Sequence, residues 1–235
     1  MQYEILYKPS YSVARVKLDQ GEAITAESGA MVSMSPTVKL DAKVAGGGFL
    51  GAVKSKLGGE SLFRTTFTAE SGPGEVLLAP ASTGDIMPLE LQGTKVYVQG
   101  GSYLAGATSL DISVEGSAKA MFSGEGLFLL TVTGSGLLLL SSFGAIHKLA
   151  LGPGEEYIAD TSHMVAFDSS VSYSLEKATG KTEGVGGFIK GMVKSALSGE
   201  GIVCRYKGPG DVYLQTRSIQ SFIQAIAPFL PKKSD

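Results

Sequence analysis

The sequence predicts an all-β protein with short helical inserts: three β-sandwich repeats in a pseudo-threefold arrangement, closed by a C-terminal helix. Three observations carry this. The block Gly46-Gly47-Gly48-Phe49-Leu50-Gly51-Ala52-Val53-Lys54-Ser55-Lys56-Leu57-Gly58-Gly59-Glu60 returns 140 positions later as Gly186 to Glu200, with nine of 15 residues identical and no gap. A second block, Gly21 to Val32, returns at an offset of 133 as Gly154 to Val165, keeping Gly, Glu, Ala, Met and Val. Between the copies, Gly93 to Leu104 repeats the same strand–turn–strand rhythm, and Ser123-Gly124-Glu125-Gly126-Leu127 matches Ser198-Gly199-Glu200-Gly201-Ile202. Recurrence at a fixed spacing is the signature of internal duplication. The chain therefore divides into repeats at 1–90, 91–151 and 152–217, with a helix and tail at 218–235.

Taken in order, Tyr3 to Tyr7 and Val13 to Leu18 read as strands on either side of the Lys8-Pro9-Ser10 turn. Each repeat then closes on two apolar strands around a glycine turn: Ser71-Gly72-Pro73-Gly74, Thr133-Gly134-Ser135-Gly136 and Lys207-Gly208-Pro209-Gly210. Gly supplies positive φ and Pro presets φ, so these turns are expected to be hairpin loops. Continuously apolar runs such as Leu127-Phe128-Leu129-Leu130 fit strands covered on both faces. The repeated Gly46 and Gly186 blocks differ. Phe49, Leu50, Val53 and Leu57, and Phe188, Ile189, Met192, Val193, Ala196 and Leu197, fall at helical spacing, with Lys54 and Lys194 on the other face. They read as glycine-hinged amphipathic helices inserted in the first and third repeats and missing from the second. From Ser218 to Ala227 a last helix is expected, with Ser218 as N-cap, Pro228 as stop and Ile219, Phe222, Ile223 and Ile226 as its apolar stripe.

Composition narrows the function. Of 235 residues, 43% are apolar and 18% charged, which favours a packed core over disorder. A net charge of −2 gives no attraction for phosphate backbones, so no nucleic-acid partner is expected. The single cysteine cannot form an internal disulfide. No secretory signal follows Met1, and no apolar run is long enough to span a bilayer, so the expected location is cytoplasmic, with peripheral membrane contact open.

Several chemistries can be weighed residue by residue. Gly48 to Ser55 has the spacing of a phosphate loop, but Val53 stands where a glycine must let the backbone approach phosphate, and no strand–loop–helix context surrounds it. His147 and His163 are the only histidines, too few for a clustered metal site, so neither metal nor cofactor is expected. Cys204 sits mid-strand as a buried thiol. Glu60, Glu125 and Glu200 occupy the same place in each repeat. They would form an acidic cluster if a threefold axis brought them together, or cap turns and pair with lysines if it did not.

With the repeats laid out, the glycine blocks ending in Gly-Glu, the Gly-Pro-Gly turns and the C-terminal Phe/Ile helix resemble prokaryotic relatives of the mitochondrial biogenesis (altered inheritance of mitochondria) family, from about Tyr3 to Leu230. The resemblance implies a fold similar to the tryptophan RNA-binding attenuator protein, with three sandwiches of double-stranded β-helix type. For the mitochondrial member it implies a link to inner-membrane organisation, and it supplies no catalytic residues. The expected function is a non-enzymatic binding or scaffold module. Its surface for a protein partner or a membrane would be Phe49, Leu50, Val53, Leu57, Phe188, Ile189, Met192, Val193 and Leu197, although the same stripes could pack onto the sandwiches. The alternatives are a small-ligand-binding β-sandwich and an enzyme using the repeated glutamates. Open sheet edges would also allow a homo-oligomer.

Overall fold

The computed structural model describes residues 1–44, 63–114, 128–177 and 202–231. Strand β1 is Gln2–Leu6, β2 Val13–Leu18, β3 Ala23–Glu27, β4 Met31–Met34, β5 Val38–Val44, β6 Phe63–Ala69, β7 Gly74–Leu78 and β8 Ile86–Gln99. They are followed by β9 (Tyr103–Ala107), β10 (Asp111–Val114), β11 (Leu129–Ser141), β12 (Ile146–Leu151), β13 (Glu156–Asp160), β14 (Met164–Asp168), β15 (Ser172–Lys177), β16 (Ile202–Lys207) and β17 (Gly210–Gln215). One α-helix, α1 (Ile219–Ile226), closes the described chain. Alternation makes these strands. In β2, Ala14, Val16 and Leu18 are buried while Arg15 and Lys17 point away, the period-two pattern of a half-covered sheet.

The strands form three antiparallel sheets. Four strands run in the order β1-β2-β7-β4 and three in the order β13-β16-β15. Between them, a ten-stranded sheet runs β12-β17-β14-β8-β11-β9-β3-β6-β5, with β10 also on β11. Buried side chains gather in three clusters that interlock along the chain. The first holds Val16, Ile24, Phe67 and Val76, and takes in Ile86, Leu104 and Leu139 from later strands. The second centres on Val98, Leu130, Val132 and Leu138, with Val165 and Tyr213. The third groups Phe167, Cys204, Tyr206 and Val212, and reaches back for Leu129. In the third, Phe167 meets Tyr206 edge-on at 5.4 Å and Tyr173 at 5.0 Å, the tilted geometry that ring quadrupoles favour.

The glycine turns depart from the expected hairpins. β11 runs unbroken through Gly134 and Gly136, paired with β8 on both sides of a one-residue shift at Gly134/Ser135. Gly134 and Gly136 hold φ of +119° and +137°. In that range a glycine bends a strand and leaves it extended, where a hairpin turn would reverse it. The two Gly-Pro-Gly turns also join strands that do not pair with each other. β6 lies on β3 and β5 while β7 lies on β2 and β4, and β16 lies on β13 and β15 while β17 lies on β12 and β14. The residues signalled a break in the strand, and the break carries the chain from one sheet to another.

The connecting segments lock by backbone contact. Ser12 N donates to Gly84 O at 3.1 Å, Asp85 N to Gly144 O at 2.9 Å, and Gly144 N to Thr83 O at 3.0 Å. Beneath them Ser12 Oγ donates to Asp85 Oδ1 at 3.0 Å. A Cβ on Gly84 would stand 1.8 Å from Ser142 O, so only glycine allows this approach. On the outer face of the three-stranded sheet, Arg205 forks onto Glu176, Nε to Oε1 at 2.8 Å and Nη2 to Oε2 at 3.1 Å, while Nη1 reaches Glu156 at 3.1 Å. The guanidinium's hydrogen bonds hold the Glu176 carboxyl below its ordinary range.

Two outcomes follow from these contacts. Gly84→Ala should lower stability by about 1–3 kcal/mol, through displaced backbone, and a thermal melt should show a lower Tm for a folded protein. Glu176 has a folded-state pKa below its unfolded value, so its contribution is present above the unfolded pKa and is lost as pH falls through the folded one. Glu176→Gln should therefore melt below wild type at neutral pH, and the difference should close in acid.

Candidate binding surface

The C-terminal helix starts where the chain leaves β17. Thr216 N donates to Ala145 O at 3.0 Å and Arg217 N to Phe143 O at 3.2 Å, and Ala145 N donates back to Thr216 Oγ1 at 2.9 Å. Ser218 caps the helix, its Oγ accepting from Ser221 N at 3.3 Å, which satisfies one amide that the first turn leaves free. Phe222 meets Phe143 edge-on at 5.6 Å. None of the helix residues is buried. The stripe read from the sequence is real in spacing, yet it faces solvent: Phe222 and Ile223 are each 52% exposed, and Phe229, in the turn that follows, is 86% exposed. Ile219, Ile226 and Leu230 are exposed as well.

An open cleft of about 620 Å³ lies beside the helix start, lined by Pro9, Tyr11, Phe143, Arg217, Ser221 and Phe222 among others. Tyr7 and Tyr11, on the turn after β1, are both exposed. The helix face and the tyrosine turn are thus apolar and aromatic, while Thr83, Thr216 and Arg217 bring polar groups to the cleft. From Ser218 to Pro231 the sequence carries no charged residue, and Lys232-Lys233 follow directly. None of the described helices is long and apolar enough to cross a membrane.

Every binding residue expected from the inserted helices, Phe49, Leu50, Val53, Leu57, Phe188, Ile189, Met192, Val193 and Leu197, lies outside the described residues. So do Glu60, Glu125 and Glu200. The described strands fix where these segments attach. Residues 45–62 join β5 to β6, 115–127 join β10 to β11, and 178–201 join β15 to β16, each linking two paired antiparallel strands.

The remaining reactive side chains have structural surroundings. Cys204 is buried in β16, and burial pushes its thiol up to about 12, so it stays protonated and weakly nucleophilic at neutral pH. Burial likewise raises Tyr206 and Tyr103 above the usual phenol range, and Tyr103 donates to Thr25 O at 3.0 Å. His163 places Nδ1 2.7 Å from Gln215 O, while His147 stands on β12 opposite Leu214. Among the described residues, no three His, Cys, Asp or Glu side chains gather as a metal site would require. The exposure of α1 and the cleft that Tyr11 and Phe222 both line were not readable from spacing. An apolar stripe in sequence looks the same whether it is covered or not.

Residues 3–217 match the family described as mitochondrial biogenesis AIM24. An uncharacterised protein of Streptococcus pyogenes serotype M6 is 30% identical over 244 residues, spanning 100% of this chain and 93% of that protein. The crystal structure of a Streptococcus pyogenes protein superposes with a TM-score of 0.78 at 28% identity, covering 97% of this chain and 99% of the other. With the family matched over nearly all the sheets and a relative that spans the whole chain alongside, the chain belongs to the mitochondrial biogenesis AIM24 family.

Proposed function

We propose that the protein is a non-enzymatic scaffold of three β modules that attaches to an anionic lipid surface through its C-terminal helix. The observation that carries this is α1 itself, a capped helix with no buried residue and an exposed stripe of Ile219, Phe222, Ile223 and Ile226. Burying a Phe or Ile side chain fully is worth about 1.5–3 kcal/mol. A helix that leaves several such side chains half uncovered holds that free energy in reserve for another surface. Phe229 and Leu230 extend the stripe, and Lys232-Lys233 end it. Apolar side chains beside a short cationic run fit the headgroup boundary of a bilayer, where each lysine adds about 1 kcal/mol of attraction to acidic lipid. Tyr7 and Tyr11, exposed near the same cleft, have the amphipathic ring that favours this boundary. The insert residues Phe49 to Leu57 and Phe188 to Leu197 belong to the same proposal on sequence grounds, because they too are lipophilic and edged by lysine.

The three-module reading rests on recurrence of pairing. β7 lies between β2 and β4, the second half of β11 between β8 and β9, and β17 between β12 and β14. Likewise β6 lies between β3 and β5, the first half of β11 between β8 and β10, and β16 between β13 and β15. This pattern supports borders at Gly84 and Gly144, several residues before those read from the sequence at 90 and 151. A scaffold reading is further supported by the shifted titratable groups, which are accounted for by burial in the core or by surface ion pairs.

Flotation with vesicles of phosphatidylcholine and phosphatidylglycerol tests the attachment. The protein should float with mixed vesicles and less with pure phosphatidylcholine. The variant Ile223→Ser, Phe229→Ser, Leu230→Ser, which keeps the contact of Phe222 with Phe143, should lose at least about tenfold in affinity, by the burial energies above, with an unchanged melt. Wild-type protein that stays at the bottom of the gradient with both vesicles would overturn the lipid reading and leave a protein groove as the helix's receptor.

A further inference from the structure

Two strand pairs join the modules, and they share one geometry. β3 meets β9 through Ile24↔Ala107, Thr25↔Gly106 and Ala26↔Ala105. β8 meets β14 through Val96↔Asp168, Tyr97↔Phe167 and Val98↔Ala166. On their other side, β9 and β14 each skip one residue, Leu104 against β11 and Val165 against β17. β4 skips Val32 against β7 in the same way. β13 pairs with β16 through Tyr157↔Tyr206 and Ala159↔Cys204, as β3 pairs with β6 through Ile24↔Phe67 and Ala26↔Thr65. By register, then, β13 is the counterpart of β3 and β8, and β4 the counterpart of β9 and β14. Among the described residues, β4 and β13 are each the last strand of their sheet.

Burial tells the same story. Met31 and Val32 of β4 correspond to Met164 and Val165 of β14, identical residues in identical order. Met164 and Val165 are 1% and 0% exposed, whereas Met31 and Val32 are 39% and 56% exposed. Ile24 and Val96 are buried, while their counterpart Tyr157 is exposed, as are Met34 and Ile158. Both halves of a third junction are present in each chain, dressed in apolar side chains and uncovered. An exposed, apolar sheet edge is a template for another strand.

We propose that β13 of one copy pairs antiparallel with β4 of a second copy of this chain, with Tyr157 opposite Ser35, Ile158 opposite Met34 and Ala159 opposite Ser33. The contact is head to tail, so each copy offers one edge and accepts another, and a closed ring results where the rotation permits. This inference rests on the three-module reading. It uses neither α1 nor the lysine tail, so its failure leaves lipid attachment standing.

Light scattering after size exclusion tests it with two edge variants. Val32→Lys with Met34→Lys blocks the β4 edge, and Tyr157→Lys with Ile158→Lys blocks the β13 edge. Wild type should be an oligomer, and each variant a monomer of 24.3 kDa. An equimolar mixture of the two should form a one-to-one dimer through the single intact pair of edges. Oxidation of a chain carrying Met34→Cys and Ile158→Cys should give a ladder of linked chains, since opposed residues on paired strands lie about 4.5–5.5 Å apart at Cβ. This second variant needs no charge on the edge and covers the case in which a lysine variant fails to fold. A monomeric wild type, oligomers that survive either edge block, a mixture that stays monomeric, or the absence of a ladder would each overturn the proposal.

Discussion

Backbone pairing of β3 with β9, and of β8 with β14, is the interaction on which the rest of the structure depends. A folded segment of about 60 residues buries only about 60% of the surface its unfolded chain exposes and is marginal alone. Here the two junctions make one ten-stranded sheet out of strands from every part of the described chain. The same junctions let the apolar clusters share side chains. Leu104 and Leu139 complete the cluster around Ile24 and Phe67, and Leu129 completes the one around Phe167. Breaking a junction therefore uncovers two apolar clusters at once and leaves amides without partners, which couples the stability of the strands on either side.

The connecting segments act as clamps on this arrangement. Ser12, Gly84, Asp85 and Gly144 bond one after another through the backbone, and Gly84 allows the approach because it has no Cβ to meet Ser142 O. Polar side chains elsewhere are held in ways that oppose reactivity. The Cys204 thiol and Tyr206 hydroxyl are shielded by burial, and Arg205 is occupied by Glu176 and Glu156. The large apolar side chains left uncovered include those on the face of α1 and at the edges at β4 and β13.

Much of the fold was legible because local physics specified it. Alternation at Val13 to Leu18 gave β2, and Ser218 with the Ile219, Phe222, Ile223 spacing gave α1. The glycine turns misled, since a Gly pair marks any sharp backbone change, and only tertiary pairing distinguishes a hairpin from a bent strand such as β11. The surfaces were the least legible. Met31-Val32 and Met164-Val165 read identically, yet only the second pair is covered within the chain. Sequence reports that a strand is built for burial and is silent on which strand will cover it. The inserts at 46–60 and 186–200 drew attention through their repetition, while the exposed helix and edges described here carry no unusual motif.

The proposed third junction, between β13 of one copy and β4 of another, shares the register of the two junctions formed within the chain. Amide hydrogen exchange of the assembled protein tests it most directly. Amides across β4 and β13 should exchange as slowly as those of β9 and β14 at high protein concentration, and should lose this protection on dilution while β9 and β14 keep theirs. Fast exchange along β4 and β13 at every concentration would contradict it.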